Sequence, residues 1–342
     1  MNDDETWMQE ALRQARQGIG KTAPNPPVGA VIVKDGLLLG KGWHHKAGMP
    51  HAEREALADA RNNHGAEAII GASAYVTLEP CSTQGRTPPC VQGLIDAGIR
   101  RVVYACEDPN PAHAGRADRL LKNADIEVTK GICREEAEKI LRPFAKVQST
   151  GLPWVILKIA MSLDGRITRP SGESNWLTCE ASRRDVQNLR AEVDMIMTSG
   201  ETVRSDKPAL TIRVPELLEG RDQPWRLVVS RNPQSLPADA PLFCDENRHR
   251  TLVREGDLSS ILREVVREKD VLCVLVEAGG KLAAELLEQQ LVDEVVVYMA
   301  PLITGGLPAV AGDGLSNVRL TNIEWTRIED DVKFRGSVDR SK

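Results

Sequence analysis

The stretch HAEREALADA, residues 51–60, places a histidine and a glutamate two positions apart, in a segment whose pattern predicts a helix over 51–63. Inside a helix, residues i and i+2 point to nearly opposite sides, because successive residues step about 100° around the axis. Such a pair can share a task only in the first turn, where side chains converge on a site beyond the helix end. The stretch therefore predicts that His51 and Glu53 lie at a helix start and serve one site.

A second run, LEPCSTQGRTPPC at 78–90, supplies two cysteines that can join His51. Cys90 follows a Thr-Pro-Pro sequence, in which Thr is a good N-cap and Pro is favoured in the first helical turn. One histidine and two cysteines suit zinc, and three protein ligands leave the fourth position open, as in catalytic zinc sites. The sequence thus predicts a zinc site of His51, Cys81 and Cys90, with Glu53 as the proton carrier beside it.

Two alternatives share this metal chemistry. A closed structural zinc site needs a fourth protein ligand, and His44 is the only near candidate. A deaminase of RNA or DNA bases carries H-x-E followed by P-C-x-x-C, whereas here the second cysteine lies nine positions after the first. The net charge of −5 and the aromatic content of 4% are atypical of a groove for a nucleic-acid strand. That alternative also leaves residues 150–342 unexplained.

The composition is that of a globular protein with two domains. The 342 residues exceed the length of about 250–300 at which single hydrophobic cores stop growing. No run of about 18 apolar residues predicts a membrane span, and the acidic start MNDDETWMQE lacks the apolar core of a secretory signal. Seven cysteines, an odd number, fit a reducing compartment. We therefore expect a cytoplasmic protein with neither a membrane nor a nucleic acid as partner.

The first half alternates predicted helices and strands, as in a sheet covered by helices. A turn at Lys34-Asp35-Gly36 reverses the chain into LLLGKG and predicts a hairpin. The predicted helices are 5–17, 51–63, a segment from about Pro88 to Gly98, 115–123 and 134–147, and the predicted strands are 28–33, 72–78 and 101–106.

After a predicted linker at 149–154, a second α/β pattern begins with the alternating strand WVILKIAMSLDG. No G-x-G-x-x-G motif appears, so a Rossmann domain is not predicted. The region 231–250 is predicted to be irregular. The further predicted strands are 193–198, 226–230, 251–253, 271–276 and 293–299, and the predicted helices are 179–191, 257–268 and 280–289.

Six runs of the first half resemble the bifunctional deaminase/reductase of riboflavin biosynthesis. They are PNPPVGAVIVKDG (24–36), GWHHKAG (42–48), PHAE (50–53), TLEPC (77–81), GRTPPC (85–90) and DPNP (108–111). The resemblance implies a cytidine-deaminase-like, three-layer α/β/α domain over 1–147 and a diaminohydroxy-phosphoribosylaminopyrimidine as the substrate. It also implies that Asn25 and His44 contact the pyrimidine. Zinc lowers the pKa of a coordinated water to about 7, so hydroxide can add to the amino-bearing carbon while Glu53 moves protons.

The chain departs from this family at Thr83-Gln84, where the family usually has two histidines. Thr and Gln can form hydrogen bonds, but neither can carry a charge. The departure motivates a further alternative: a single-activity NADPH reductase whose zinc domain is a non-catalytic binding module.

Four runs of the second half resemble the reductase half of the same family: 157–167, 171–178, 199–213 and 274–287. Considered alone, the Gly279-Gly280 pair more often marks a plain turn than an anion site. The resemblance implies a dihydrofolate-reductase-like α/β domain over 148–342 that transfers a hydride from NADPH to C1′ of the open-chain ribose. A homo-oligomer is left open beside a monomer.

The resemblance also assigns site residues in the second half, and Lys158 stands out independently as the only charged residue of its strand. The residues expected to bind NADPH are Ala160, Trp176, Thr202, Asp206, Ser230, Gly279, Gly280, Lys281 and Leu282. The residues expected to bind the ribose phosphate substrate are Lys158, Ser174, Arg190, Leu210, Arg213 and Glu277.

Overall fold

The computed structural model describes residues 3–83, 89–110, 114–170, 173, 176–312 and 317–340. The chain divides into two compact units, Met1–Gly151 and Leu152–Lys342. The connection between them is shorter than the predicted linker 149–154, because a helix continues to Thr150 and the next strand begins at Trp154. None of the described helices combines the length and the apolar character needed to cross a bilayer.

The first unit is a five-stranded sheet with the strand order β2-β1-β3-β4-β5. Its strands are β1 (Gly29–Lys34), β2 (Leu37–Trp43), β3 (Ser73–Leu78), β4 (Arg101–Cys106) and β5 (Glu127–Lys130). Its helices are α1 (Asp3–Arg16), α2 (Ala52–His64), α3 (Ala66–Ile69), α4 (Cys90–Asp96), α5 (Arg116–Asn123) and α6 (Arg134–Thr150). β1 is antiparallel to β2 and β3, whereas β3, β4 and β5 run parallel.

Two apolar cores lie on opposite faces of this sheet, which confirms the predicted three-layer α/β/α arrangement. One core joins the sheet to α2, α4 and α5, and the other joins it to α1 and α6. Strand β5 was not predicted, because its four residues EVTK carry a single apolar side chain and lie at the sheet edge.

Helix α2 lies unusually close to strand β2, because both contact surfaces consist of the smallest residues. A Cβ atom added at Gly40 would lie 2.4 Å from both the Ala56 carbonyl oxygen and the Ala60 nitrogen. A Cβ atom at Gly42 would meet the Ala56 nitrogen at 2.5 Å. Ala52, like Ala56 and Ala60, is fully buried and lies at a four-residue spacing on the same helix face. This packing fixes the start of α2 against the sheet.

The second unit is an eight-stranded sheet with the order β12-β13-β11-β6-β10-β7-β8-β9. Its strands are β6 (Trp154–Ser162), β7 (Met195–Ser199), β8 (Trp225–Val229), β9 (Thr251–Arg254), β10 (Cys273–Glu277), β11 (Glu294–Ala300), β12 (Leu320–Ile328) and β13 (Asp331–Val338). Its helices are α7 (Glu180–Ala191), α8 (Gly200–Asp206), α9 (Pro241–Cys244), α10 (Leu258–Lys269) and α11 (Gly280–Glu288). Short 3₁₀ turns lie at Pro215–Leu218, Pro233–Ser235 and Arg248–Arg250.

The strands from β11 to β9 run parallel, and the hairpin β12–β13 adds to them antiparallel. This is the predicted dihydrofolate-reductase-like α/β domain. The hairpin itself was not predicted, because most side chains of β12 are exposed and give no apolar period. The region 231–250 contains only α9 and two 3₁₀ turns, close to the irregular segment that its composition predicts. Since parallel strands end at one edge, β6, β7, β8 and β10 bring the following loops together.

Candidate metal centre and reductase site

The three predicted metal ligands meet in the first unit because two of them begin helices. His51 is the N-cap of α2 with extended backbone angles, and Cys90 is the first residue of α4. Two residues, Glu79 and Pro80, separate Cys81 from the end of β3. The predicted placement of His51 and Cys90 at helix starts is therefore confirmed.

The distances between these side chains fit one tetrahedral cation. His51 Nδ1 lies 3.3 Å from Cys90 Sγ and 3.5 Å from Cys81 Sγ, and all three ligand atoms lie within 4.8 Å of one another. Around zinc, bonds of about 2.1–2.3 Å place ligand atoms roughly 3.5–3.8 Å apart. In the part of the chain that the structure describes, no other group of three such side chains comes as close. The donor set and its spacing therefore fit zinc.

The environment of the cysteines favours the thiolate form that binds metal. A hydrogen bond from the Cys90 thiol, and a weaker contribution from the His51 ring, lower the pKa of Cys81 to about 4. The backbone N–H of Cys90 also donates to Cys81 Sγ at 3.3 Å. The proton shared with Cys81 and burial raise the pKa of Cys90. A divalent cation would replace that shared proton.

Glu53 lies in the first turn of α2, where it is 4% exposed. Burial, and next the negative charge of Cys81, raise the pKa of its carboxyl group. A carboxyl group that takes up a proton more readily than usual suits a general base that later returns the proton. Its position on α2 lets Glu53 act beside His51 without being a ligand.

His44 is held by hydrogen bonds at both ring nitrogens. Nδ1 donates to the carbonyl oxygen of Pro50, and Nε2 accepts from Asn25 Nδ2, both at 3.0 Å. Burial lowers the pKa of the His44 imidazole, in agreement with a neutral ring. The His44 ring meets that of His51 edge-on with 5.3 Å between centroids. His44 is thus next to the metal ligands but not among them, which disfavours the closed structural zinc site.

Sequence reasoning missed the role of Glu79, a buried carboxylate two residues before Cys81. It accepts backbone N–H bonds from Asp108, Gly115 and Ala117 at 3.0–3.3 Å. It therefore joins the end of β3 to Asp108, which follows β4, and to the start of α5. The only local signal was an acidic residue directly before the Pro-Cys pair.

In the second unit, a charged cluster lies where β10 ends beside the middle of β6. Lys158 and Glu277 are register partners on these adjacent strands. Arg190 donates Nε to Glu277 Oε1 at 2.7 Å and Nη2 to Glu277 Oε2 at 3.0 Å. Burial alone would raise the pKa of Glu277, but the charges of Arg190, Lys158 and Arg213 lower it to about 2. The cluster thus has three cationic side chains and one carboxylate.

That excess of positive charge fits a phosphorylated substrate, because an anion restores the balance. Burial lowers the pKa of Lys158, so a nearby anion also favours its charged form. Arg190 uses its Nε and Nη2 donors on the Glu277 carboxylate, and its Nη1 donates to the Thr211 carbonyl oxygen at 2.7 Å. The predicted contact of Arg190 with substrate stays a prediction, whereas its contact with Glu277 is present.

The start of α11 fits a dinucleotide phosphate. The N-cap Gly279 offers no side chain to the first helical N–H groups, which leaves them available to an anion. A Cβ atom at Gly279 would meet only the Ile167 Cδ1 atom, at 4.0 Å, so the backbone is approachable there. By contrast, a Cβ atom at Gly280 would lie 2.4 Å from the Pro308 carbonyl oxygen. Gly279 therefore leaves the backbone open to a ligand, whereas Gly280 allows α11 to pack closely against Pro308.

The other predicted NADPH residues lie along the same edge of the sheet. Ser230 follows β8, and its hydroxyl lies 2.5 Å from a Cβ atom built at Gly200, the first residue of α8. Trp176 is 55% exposed, with the Arg183 guanidinium 5.0 Å from its ring centroid. Ser174 lies outside the described residues. The remaining predicted residues lie on β6 (Ala160), on α8 (Thr202 and Asp206) and in the first turn of α11 (Lys281 and Leu282).

Comparison with known sequences and structures agrees with both halves. The family described as "Cytidine and deoxycytidylate deaminase zinc-binding region" matches residues 1–106, and the family described as "RibD C-terminal domain" matches residues 153–334. The riboflavin biosynthesis protein RibD of Haemophilus influenzae is 40% identical over 330 residues, covering 89% of this chain and 87% of that protein. That of Escherichia coli is 43% identical over 330 residues, covering 88% and 89%.

Two solved structures cover almost the whole chain. Acinetobacter baumannii RibD superposes with a TM-score of 0.90 at 38% identity over 99% of both chains. The Thermotoga maritima protein named as a diaminohydroxyphosphoribosylaminopyrimidine deaminase/5-amino-6-(5-phosphoribosylamino)uracil reductase gives 0.86 at 33% identity, covering 98% of this chain and 99% of that one. The fold and the two sites define a fusion of a zinc-dependent deaminase with an NADPH-dependent reductase. The chain belongs to the RibD family, the bifunctional deaminase and reductase of riboflavin biosynthesis.

Proposed function

We propose that the chain converts the diaminohydroxy-phosphoribosylaminopyrimidine into its uracil counterpart at the first site and reduces the ribosyl group to ribityl at the second. The proposal is carried by one observation: a buried Glu53 beside a His51, Cys81 and Cys90 centre in a chain that also holds the Lys158 and Glu277 cluster. The deaminase domain is proposed to span 1–147 and the reductase domain 148–342.

In the deaminase half, the chain's residues hold the pyrimidine and move protons. The zinc ion supplies Lewis acidity for the addition of water at the carbon that bears the amino group. Glu53 accepts a proton from the water and delivers one to the leaving amine, so that oxygen replaces nitrogen and ammonia departs. Asn25 and His44, already joined to each other at 3.0 Å, orient the ring beside the metal ligands. The neutral Thr83 leaves orientation to these two residues.

In the reductase half, the chain orients the ribose against the cofactor. NADPH supplies the hydride that C1′ of the open-chain ribose receives. Lys158 and Glu277 are proposed to bind the ribose hydroxyl groups, and Arg213 the phosphate. The first turn of α11 would hold the cofactor's phosphates beside them. Both reacting groups would then lie where the parallel strands end.

Cellular location and association stay proposals of their own. We propose a cytoplasmic enzyme, in support of which all seven cysteines, each in a described segment, are free thiols. Association into a homo-oligomer is supported by the edge strand β12, which exposes Ile323 and Trp325 by 50% and 64%. We propose a small phosphorylated pyrimidine, rather than an RNA or DNA base, as the substrate of the deaminase half. An RNA- or DNA-base deaminase would leave residues 150–342 without a function, whereas the reductase half gives them one.

The test is a two-step assay on the purified, zinc-loaded chain. Adding the diaminopyrimidine without NADPH should release ammonia, and subsequent NADPH should be consumed as the ribityl product forms. If the chain releases no ammonia from the diaminopyrimidine but still reduces the pre-deaminated compound, the single-activity reductase is supported instead. Failure of both steps with zinc bound would overturn the proposed function.

A further inference from the structure

The segment 209–213 contains two of the proposed substrate residues, yet it belongs to no helix or strand. It lies between α8 and the 3₁₀ turn Pro215–Leu218. Its residue Leu210 has a φ angle of +51° and is 4% exposed. A left-handed backbone at a bulky residue is strained and persists only where the surroundings enforce it. We call residues 209–213 the substrate loop.

Side chains from two other segments hold the backbone of the substrate loop. Arg226 Nη1 donates to the Ala209 carbonyl oxygen at 2.9 Å, and Arg190 Nη1 donates to that of Thr211 at 2.7 Å. Arg226 is fully buried on β8 and is itself anchored by Asp245. These two arginines fix the first half of the loop.

Two glutamines fix its second half. Gln223 forms a two-point contact with Ile212: Oε1 accepts from the backbone N–H at 2.8 Å, and Nε2 donates to the carbonyl oxygen at 2.9 Å. Gln187 Oε1 accepts from the backbone N–H of Arg213 at 2.8 Å. Gln187 is 3% exposed on α7, and Gln223 is half-buried before β8. Side chains thus satisfy backbone groups of the loop that a strand would pair with its neighbours.

The side chain of Arg213 contrasts with its backbone. It is exposed, and among the described residues its guanidinium forms no hydrogen bond or ion pair. It is close enough to Glu277 for its charge to stabilise that carboxylate. An arginine side chain loses rotamer entropy when it binds a ligand, so a fixed backbone at Arg213 leaves only the side chain to be ordered. The substrate loop therefore combines a hydrogen-bonded backbone with an exposed guanidinium group.

We propose that Gln187 and Gln223 are positioning residues of the reductase, which fix the Ile212-Arg213 backbone so that the Arg213 guanidinium meets the substrate phosphate. The inference rests on the proposed function, in which Arg213 binds that phosphate. Arg190 completes the arrangement, since it bonds both Thr211 and Glu277 and so sets the spacing between the loop and the ribose end of the site. The expected result is recognition of the phosphate at a set distance from C1′.

The experiment compares Gln223→Met and Gln187→Met with Arg213→Ala and with the matched control Gln289→Leu, whose side chain lies on the surface after α11. Methionine keeps the length of glutamine but has no amide. The KM for the phosphorylated, pre-deaminated substrate should rise about tenfold in each glutamine variant. The KM for NADPH, ammonia release and the KM for the dephosphorylated substrate should stay within about twofold of the wild-type values. Gln289→Leu should change none of these.

A merely structural role would change both substrates alike, so an equal rise in KM for the phosphorylated and dephosphorylated compounds would overturn the inference. The double variant Gln223→Met/Arg213→Ala should match Arg213→Ala, because the glutamine acts through that arginine. If Arg213→Ala no longer distinguishes the phosphorylated from the dephosphorylated substrate but the glutamine variants still do, the positioning role is contradicted and the phosphate site is not. No effect of Arg213→Ala contradicts the assignment of the phosphate site itself. If Gln223→Met fails to fold, Gln187→Met tests the same loop from helix α7.

Discussion

The metal centre of the first unit and the charged cluster of the second differ in how their geometry is specified. At the metal centre, the functional side chains contact one another directly, with His51 Nδ1 3.3 and 3.5 Å from the two sulfurs. At the cluster, the Arg213 side chain is exposed, while Gln187 bonds the backbone of Arg213 and Gln223 bonds that of Ile212. Residue type specifies a set of metal ligands, whereas the proposed phosphate site is specified by the residues that surround it.

The largest expected effect is at the metal centre and is confined to one activity. Glu53→Gln should reduce ammonia release by about 10³-fold, because the amide cannot transfer the proton. Zinc content and NADPH consumption with the pre-deaminated substrate should stay at wild-type levels. Metal analysis and the two separate assays measure this, and Glu67→Gln, at an exposed position of helix α3, is the control. Full ammonia release by Glu53→Gln with zinc bound would show that Glu53 is not the proton carrier.

The second-largest expected effect is at the charged cluster, where a substitution should reduce stability as well as activity. Glu277→Gln removes the partner of a buried Arg190, so it should lower reductase kcat/KM about 10²-fold and destabilise the second unit by about 3 kcal/mol. Ammonia release should be unchanged. Unlike Glu53→Gln, this variant should show a lower urea midpoint together with its loss of activity. An unchanged midpoint would contradict the view that the cluster's charges depend on one another.

This difference explains how much of each site the sequence predicts. His51, Cys81 and Cys90 are rare residue types in a short, ordered pattern, so the ligand set and the helix starts follow from the sequence alone. Glu277 and Arg213 are common types far apart in the chain, and only the resemblance to a family singled them out. Gln187 and Gln223 carry no local signal, since their proposed role rests on hydrogen bonds to a loop that lies 11 to 26 positions away in the chain.

The fold shows the same division. Strands with apolar alternation, such as β6, were predicted within a few residues, because burial imposes the period. The exposed hairpin β12–β13 was missed, because its pairing comes from the sheet edge formed by β11 rather than from its own pattern. Long-range backbone pairing leaves little trace in local composition.

The third effect tests the support beneath the metal centre. Gly40→Ala places a Cβ atom 2.4 Å from the backbone of α2 at Ala56 and Ala60, so the helix that begins at the metal centre must move away from β2. We expect a loss of about 2–3 kcal/mol in unfolding free energy and weaker zinc retention against a chelator. Gly93→Ala is the matched control: its Cβ would meet only Arg54 Nη2, at 4.0 Å, and it should stabilise α4 by up to about 1 kcal/mol. Unchanged zinc retention in Gly40→Ala would mean that the ligands hold their geometry without this packing.

The smallest effect separates stability from function at the edge of the second sheet opposite the charged cluster. Asp194 accepts N–H bonds from Leu272 and Cys273, yet burial raises the pKa of its carboxyl group to about 6. Because the folded-state pKa lies above the ordinary 3.8, this group's contribution to stability is complete below that value and is lost as the pH rises through 6. Asp194→Asn keeps an oxygen acceptor without titrating.

Relative to wild type, Asp194→Asn should therefore gain about 1–3 kcal/mol of unfolding free energy between pH 4 and pH 7.5, as measured by urea unfolding at both values. Its reductase KM values should not change, because the substituted group lies where the strands begin rather than where they end. A constant stability difference across this pH range would show that Asp194 does not titrate as inferred. A changed KM for the phosphorylated substrate would show that the substrate loop depends on the whole sheet, and not on Gln187 and Gln223 alone.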